Sequence, residues 1–257
     1  MIVLIGFVLA HCGSPPALPI AGVAPRRLSV FAASSLTDTF EEMGAVFEKS
    51  NPGVTVQFNF AGSQQLGLQL NQGARADVFA SADLKSMEAI KELQSKSPQV
   101  FAHNRLVVIV PAANPGQVRE LHDLAKANLK LVVAAASVPV GNYTLQVLDK
   151  ASADPSFGAL YKANVLKNVV SLETNVRQVV TKVDLGEADA GIVYATDAAT
   201  AKNVAVIAVP ESFNVIADYP LVVLNNAPQP QLAQTFVDLL LASDGQAVLK
   251  KHGFVLP

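Results

Sequence analysis

A chain of 257 residues, 51% hydrophobic and only 16% charged, is long enough for one large or two smaller domains and too apolar to be disordered. Its net charge of −2 excludes the basic field that nucleic-acid binding requires. Any anion it binds must therefore be held by local dipoles.

Residues 1–10 form an uncharged apolar run too short to span a bilayer. Cys12 follows, and then a Gly-, Ser- and Pro-containing stretch to residue 25. The order resembles a bacterial lipoprotein signal, with Leu9-Ala10-His11-Cys12 as cleavage box and Cys12 as the lipidated residue. His11 stands where a small residue is usual, and no Lys or Arg precedes the run. An ordinary cleaved signal is the alternative, and both imply export. Cys12 is the only cysteine, so no internal disulfide is expected.

The first strand is predicted at 28–33, ending abruptly at Ser34 and Ser35. Leu36, Phe40, Met43 and Phe47 then mark one face of a helix. Asn51-Pro52-Gly53 is a turn signal, the alternation over 54–60 reads as a strand, and 64–72 reads as a helix. A buried strand at 76–80 and a helix at 84–93 complete the first set. The apolar run 105–111 is a strand, after which a second set begins: strand 129–135, helix 142–151, a helical piece near 157–165, strand 169–172 and helix 176–185. Strand 190–194, a helical 197–202 and strand 204–209 follow, and 219–224 is a strand that can carry the chain back. Two amphipathic helices, 231–241 and 243–252, close the chain. Strand–helix repetition with short loops is the mark of α/β lobes with mostly parallel sheets flanked by helices. Two apolar strands bracketing a middle lobe predict two lobes joined by two crossings. The expected boundaries are a leader at 1–25, lobe I at 26–108 plus 222–257, and lobe II at 109–221.

Four corners stand where a helix is expected to begin: Ser34-Ser35, Ala61-Gly62-Ser63, Val138-Pro139-Val140-Gly141-Asn142 and Asn175-Val176-Arg177. The first N–H groups of a helix lack intrahelical partners and the dipole there favours negative charge, so each corner can receive an anion. Singly, a serine there is a helix cap and Gly141 a turn glycine. Tyr194 stands at the end of its strand, where ligands gather in open α/β sheets.

Phe31-Ala32-Ala33-Ser34-Ser35-Leu36, Phe60-Ala61-Gly62-Ser63 and the run from Gly73 to Asp83 resemble the periplasmic molybdate-binding proteins of ABC transporters. So do Val138 to Tyr143, Gly191 to Asp197 and the closing Lys251-His252-Gly253-Phe254, in the same order over about residues 28–256. The resemblance implies a two-lobed type II periplasmic binding protein that closes over a tetrahedral oxyanion, molybdate or tungstate. It implies a high-affinity extracytoplasmic monomer, without cofactor, that hands its ligand to a membrane permease. The implied ligands are Ser35 and Ser63 through hydroxyl and N–H, Val140 and Val176 through N–H, and Tyr194 through its hydroxyl. Val140 replaces a common Ala, Gly62 a frequent Ser and Arg75 a common Pro. Arg177 is expected beside the site or facing solvent.

None of these positions is Asp or Glu. Such a cavity suits fully ionised molybdate, tungstate or sulfate, and disfavours protonated phosphate, whose O–H would be left unpaired at a cost of roughly 1–3 kcal/mol. The molybdenum would be held as its oxyanion, with no direct protein–metal bond. Sulfate, another oxyanion or an organic anion remains the alternative within this class. A ligand-sensing regulator would need a DNA-binding segment, and an enzyme would need a nucleophile elbow, metal motif or phosphate loop; the sequence carries none of these motifs. The chain is therefore expected not to be an enzyme.

Overall fold

The computed structural model describes residues 26–257. The leader expectation, Cys12 included, lies outside the described residues. The chain opens with β1 (Arg26–Ala33), a 3-10 turn at Ser34–Leu36 and α1 (Thr37–Ser50). β2 (Val54–Ala61), α2 (Ser63–Asn71), β3 (Val78–Ala80) and α3 (Leu84–Glu88) follow. β4 (Gln99–Pro111) leads through a 3-10 turn, Leu121–Ala125, to β5 (Leu131–Ala134), α4 (Pro139–Ala153) and α5 (Tyr161–Lys167). Next come β6 (Val169–Glu173), α6 (Val176–Asp184), β7 (Ala190–Tyr194), α7 (Ala195–Ala198) and β8 (Val204–Ala208). β9 (Ile216–Val223), α8 (Pro230–Leu241) and α9 (Ser243–Lys251) end the chain.

The strands form one nine-stranded sheet in the order β2-β1-β3-β9-β4-β7-β5-β6, with β8 also paired to β4. Its two ends are parallel, β1 with β2 and β3, and β5 with β6 and β7. The centre is antiparallel: β9 pairs with β3, and β4 pairs with β9, β7 and β8. The fold is α/β, with the parallel βαβ character concentrated in the two ends. β4 pairs with β9 over its first residues and with β7 and β8 over its last, so it joins the two halves of the sheet.

Packing explains the local choices. α1 buries Phe40, Met43 and Phe47, and Phe236 of α8 meets Phe40 and Phe47 edge-on at 6.0 and 5.3 Å. α6 buries Val176, Val179, Val180 and Val183 on one face, where burial outweighs the weak helix propensity of valine.

Several predicted elements have other bounds in the structure; the piece expected near 157–165, for one, is α5 at Tyr161–Lys167. The helix expected at 84–93 breaks after Glu88 and resumes as a 3-10 turn, Lys91–Leu93, because Ile90 turns into the cluster of Leu66, Leu70, Phe79 and Met87. Side-chain amides of Asn71 and Gln94 bond the carbonyls of Ala89 and Met87 there. The strand expected at 105–111 begins six residues earlier, its polar start held by β9. The helix expected at 197–202 is the shorter α7, which starts directly after Tyr194.

Candidate functional site

All four corners meet at one cavity. It is lined by Ser34, Ser35, Gly62, Ser63, Val138, Pro139, Val140, Val176 and Tyr194, with Ala33, Ala61 and Ala82 filling the gaps. Its cavity volume is about 10 Å³, far below the roughly 300–1,000 Å³ of sites for drug-sized molecules. The ligand it suits is therefore small. Among the described residues, no Asp, Glu, Lys or Arg lines it. Every residue that the resemblance implied as a ligand, Ser35, Ser63, Val140, Val176 and Tyr194, is on this wall.

Each corner is built differently. Ser34 and Ser35 form the 3-10 turn between β1 and α1, both buried, with the Thr37 hydroxyl bonded back to the Ser34 carbonyl at 2.8 Å. Ser35 Oγ lies 3.0 Å from the hydroxyl of Tyr219 on β9. Burial pushes the Tyr219 phenol well above its ordinary pKa, so it keeps its proton; donated to Ser35 Oγ, that proton leaves the Ser35 hydrogen free for the cavity.

Ser63 opens α2. Its Oγ accepts the Ala82 N–H at 3.0 Å, which orients the hydroxyl and leaves its own hydrogen to donate. α4 opens with Pro139, whose missing N–H costs nothing at a helix start, and Val140 follows it. Gly141 is not a turn residue: it lies inside α4, where a Cβ would stand 2.1 Å from the Ala135 carbonyl oxygen and 2.5 Å from that of Ala134. Glycine is what allows the helix start to seat on the end of β5. Asn175 caps α6, its side chain accepting the Gln178 N–H at 3.1 Å, and the N–H of Val176 opens the helix.

Tyr194 ends β7. Its ring stands 5.7 Å from Tyr219 and 6.4 Å from Tyr143, and its hydroxyl is buried without a hydrogen-bond partner among the described residues. Burial, then the neighbouring tyrosines, pushes its pKa well above the ordinary value, so it stays a neutral donor. An unpaired buried hydroxyl costs roughly 1–3 kcal/mol, which a ligand oxygen would relieve. The wall thus offers hydroxyls and helix N-termini, the equipment for a small anion that carries no proton.

The model of the bacterial extracellular solute-binding proteins matches residues 28–255. The chain belongs to that family. The molybdate-binding protein ModA of Mycobacterium tuberculosis is 39% identical over 257 residues, with 97% of this chain and 93% of that protein covered. The periplasmic molybdate-binding protein of Azotobacter vinelandii superposes with a TM-score of 0.76 at 24% identity, covering 90% of this chain and 99% of that one. The sulfate-binding protein SubI of Mycobacterium tuberculosis superposes at 0.81 with 15% identity, covering 90% and 87%. These structures share the type II periplasmic binding fold, and shape alone does not name the anion.

Three features of the site escaped the sequence reading: the Ala82 N–H, Tyr219 and the pairing of Arg177 with Asp38 and Asp197 beside the cavity. Arg177 does not simply face solvent. Its side chain is 27% exposed and held between two carboxylates. No cluster of three or more His, Cys, Asp or Glu able to hold a metal ion occurs among the described residues.

Proposed function

We propose that this protein captures molybdate, and its chemical twin tungstate, outside the membrane and delivers the anion to an ABC transporter permease. The observation that carries the reading is the buried, unpartnered Tyr194 hydroxyl on the wall of a cavity lined by donors and free of carboxylates. Ser35 and Ser63 bind through hydroxyl and N–H, Val140 and Val176 through N–H, and Tyr194 through its hydroxyl. Several charge-assisted hydrogen bonds hold a dianion without a lysine or arginine in contact. The 39% identity to a molybdate-binding protein favours molybdate among the donor-seeking anions.

The cleft lies between lobe I, 26–108 plus 222–257, and lobe II, 109–221, which close as a hinge around β4 and β9. The protein acts as a monomer, by binding and closure without chemistry on the ligand, and is not an enzyme. It is exported, with Cys12 as lipid anchor; no helix among the described residues is long and apolar enough to cross a membrane. Sulfate, another dianion that carries no proton and suits a cavity without carboxylates, is the second reading.

Titration calorimetry of the leader-free, anion-stripped protein tests this. Tight one-to-one binding of molybdate, weaker sulfate and silent phosphate is the expected result. Preference for sulfate keeps the site and changes the cargo. Silence toward all three overturns the reading.

A further inference from the structure

We propose that Arg177 is a closure latch: it is held rigidly by its own lobe and reaches across the cleft to Asp38, so that closing the lobes makes an ion pair that slows ligand release. The inference rests on the binding reading above and adds residues that do not touch the ligand.

Three contacts define the guanidinium. Its Nε stands 2.8 Å from Oδ1 of Asp197, off the hydrogen-bond axis, and Nη1 donates to Thr200 Oγ1 at 3.1 Å. Asp197 belongs to α7 and Thr200 follows it, both on the lobe II side with α6. The remaining group, Nη2, bonds Oδ2 of Asp38 in the first turn of α1, on the lobe I side. Two partners therefore aim the side chain from its own lobe, and one partner from the other lobe receives it. Asp197 is fully buried, so it cannot follow the guanidinium into solvent and anchors it on its own side of the cleft. An arginine fork aligned in advance loses less entropy on pairing than a free one.

The latch is placed next to the ligand on both sides. Arg177 follows Val176, and Asp38 lies in the helix that begins just past Ser35. A second cross-cleft bond flanks the same cavity: Gln64, next to Ser63, donates from Nε2 to the Thr174 carbonyl at 3.0 Å. The lobes meet closely there, since a Cβ on Gly62 would stand 2.5 Å from that same carbonyl oxygen. An opening large enough to release the anion separates Asp38 from Arg177. Severing one member of such a pair acts mainly on the dissociation rate.

The test is a double-mutant cycle with sodium molybdate as probe: wild type, Asp38→Asn, Arg177→Gln and the double variant. Affinity is read by calorimetry and release by tyrosine fluorescence, which the absence of tryptophan leaves unobscured. Asp38→Asn is expected to release molybdate about threefold to tenfold faster at unchanged stoichiometry, and the difference should shrink in high salt. Asp38 also sits at a helix N-terminus, so its substitution can act through α1 alone. The cycle separates the two, because a latch makes Asp38→Asn silent once Arg177→Gln is present. Equal effects of Asp38→Asn in both backgrounds overturn the latch. So does Asp38→Asn that matches wild type while Ser63→Ala loses affinity, and this leaves the binding reading intact. A wild-type protein that binds no molybdate brings down both.

Discussion

The two walls of the cavity use different chemistry. On one wall Ser35 and Ser63 present hydroxyl side chains, each held by a second group, Tyr219 or the Ala82 N–H. On the other wall Val140 and Val176 are apolar side chains buried in the core, and only the N–H groups of their helix starts are left for a ligand. One wall depends on residue identity, the other on where a helix begins. Mutational sensitivity should therefore differ in kind: side-chain deletions matter on the first wall, and changes of helix seating matter on the second.

The largest effect is expected from Gly141→Ala. Its Cβ would meet two backbone carbonyls, at 2.1 and 2.5 Å, so α4 must lift from β5 and carry the Val140 N–H out of place. Urea unfolding should register about 1–3 kcal/mol of lost stability, and calorimetry should find molybdate binding nearly abolished. If affinity survives, the second wall does not hold the anion through helix position. Next come Ser63→Ala and Ser35→Ala. Each removes a donor to a charged ligand, so each should weaken binding by roughly 1.5–3 kcal/mol, about tenfold to a hundredfold, with little change in the unfolding midpoint.

A third prediction concerns the carboxylate behind the second wall. Burial, opposed by Arg177 and aided by Asp38, raises the Asp197 pKa from its ordinary 3.8 to about 7. The folded state then holds a proton that the unfolded chain has lost. This group's stabilising share is full below about pH 4 and disappears as pH rises through 7. From pH 4.5 to 7.5 the unfolding free energy read from urea titrations should fall by an amount on the order of 2–4 kcal/mol more in wild type than in Asp197→Asn. Equal pH profiles would show that Asp197 ionises normally in the folded protein. The smallest effect on binding is expected for Val176→Ala. It creates a core cavity and lowers the melting temperature, yet leaves the N–H in place, so the molybdate affinity should stay within about threefold. A large loss of affinity would contradict the division between the walls.

The same division governs how legible the site was. Ser35 and Ser63 could be read because hydroxyls at a strand-to-helix corner have a chemical meaning of their own. The corners at Val140 and Val176 were visible as helix starts, but valine carries no functional signal. Their place on the wall was anticipated only through likeness to a family. Tyr219 was out of reach, since its tie to Ser35 spans 184 positions and depends on where β9 crosses. Arg177 could be placed beside the site, but its tie to Asp38, 139 positions away, was equally out of reach. In the fold, periodic stretches such as α1 and α6 were legible. The first half of β4, with Gln99, His103 and Asn104, was not, because pairing with β9 rather than its own pattern makes it a strand.

The pairing of β3 with β9 also governs when the fold can be completed. Val78, Phe79 and Ala80 take Val223, Val222 and Leu221 as partners. Until those late residues are synthesised, one edge of β3 has no strand beside it, and α8 and α9, which cover α1, do not yet exist. A nascent chain can build β1, β2 and their helices early but cannot close the sheet before its final quarter is available. An exported protein benefits from that delay: translocation requires an unfolded thread, and here the finished topology waits for the C-terminal end.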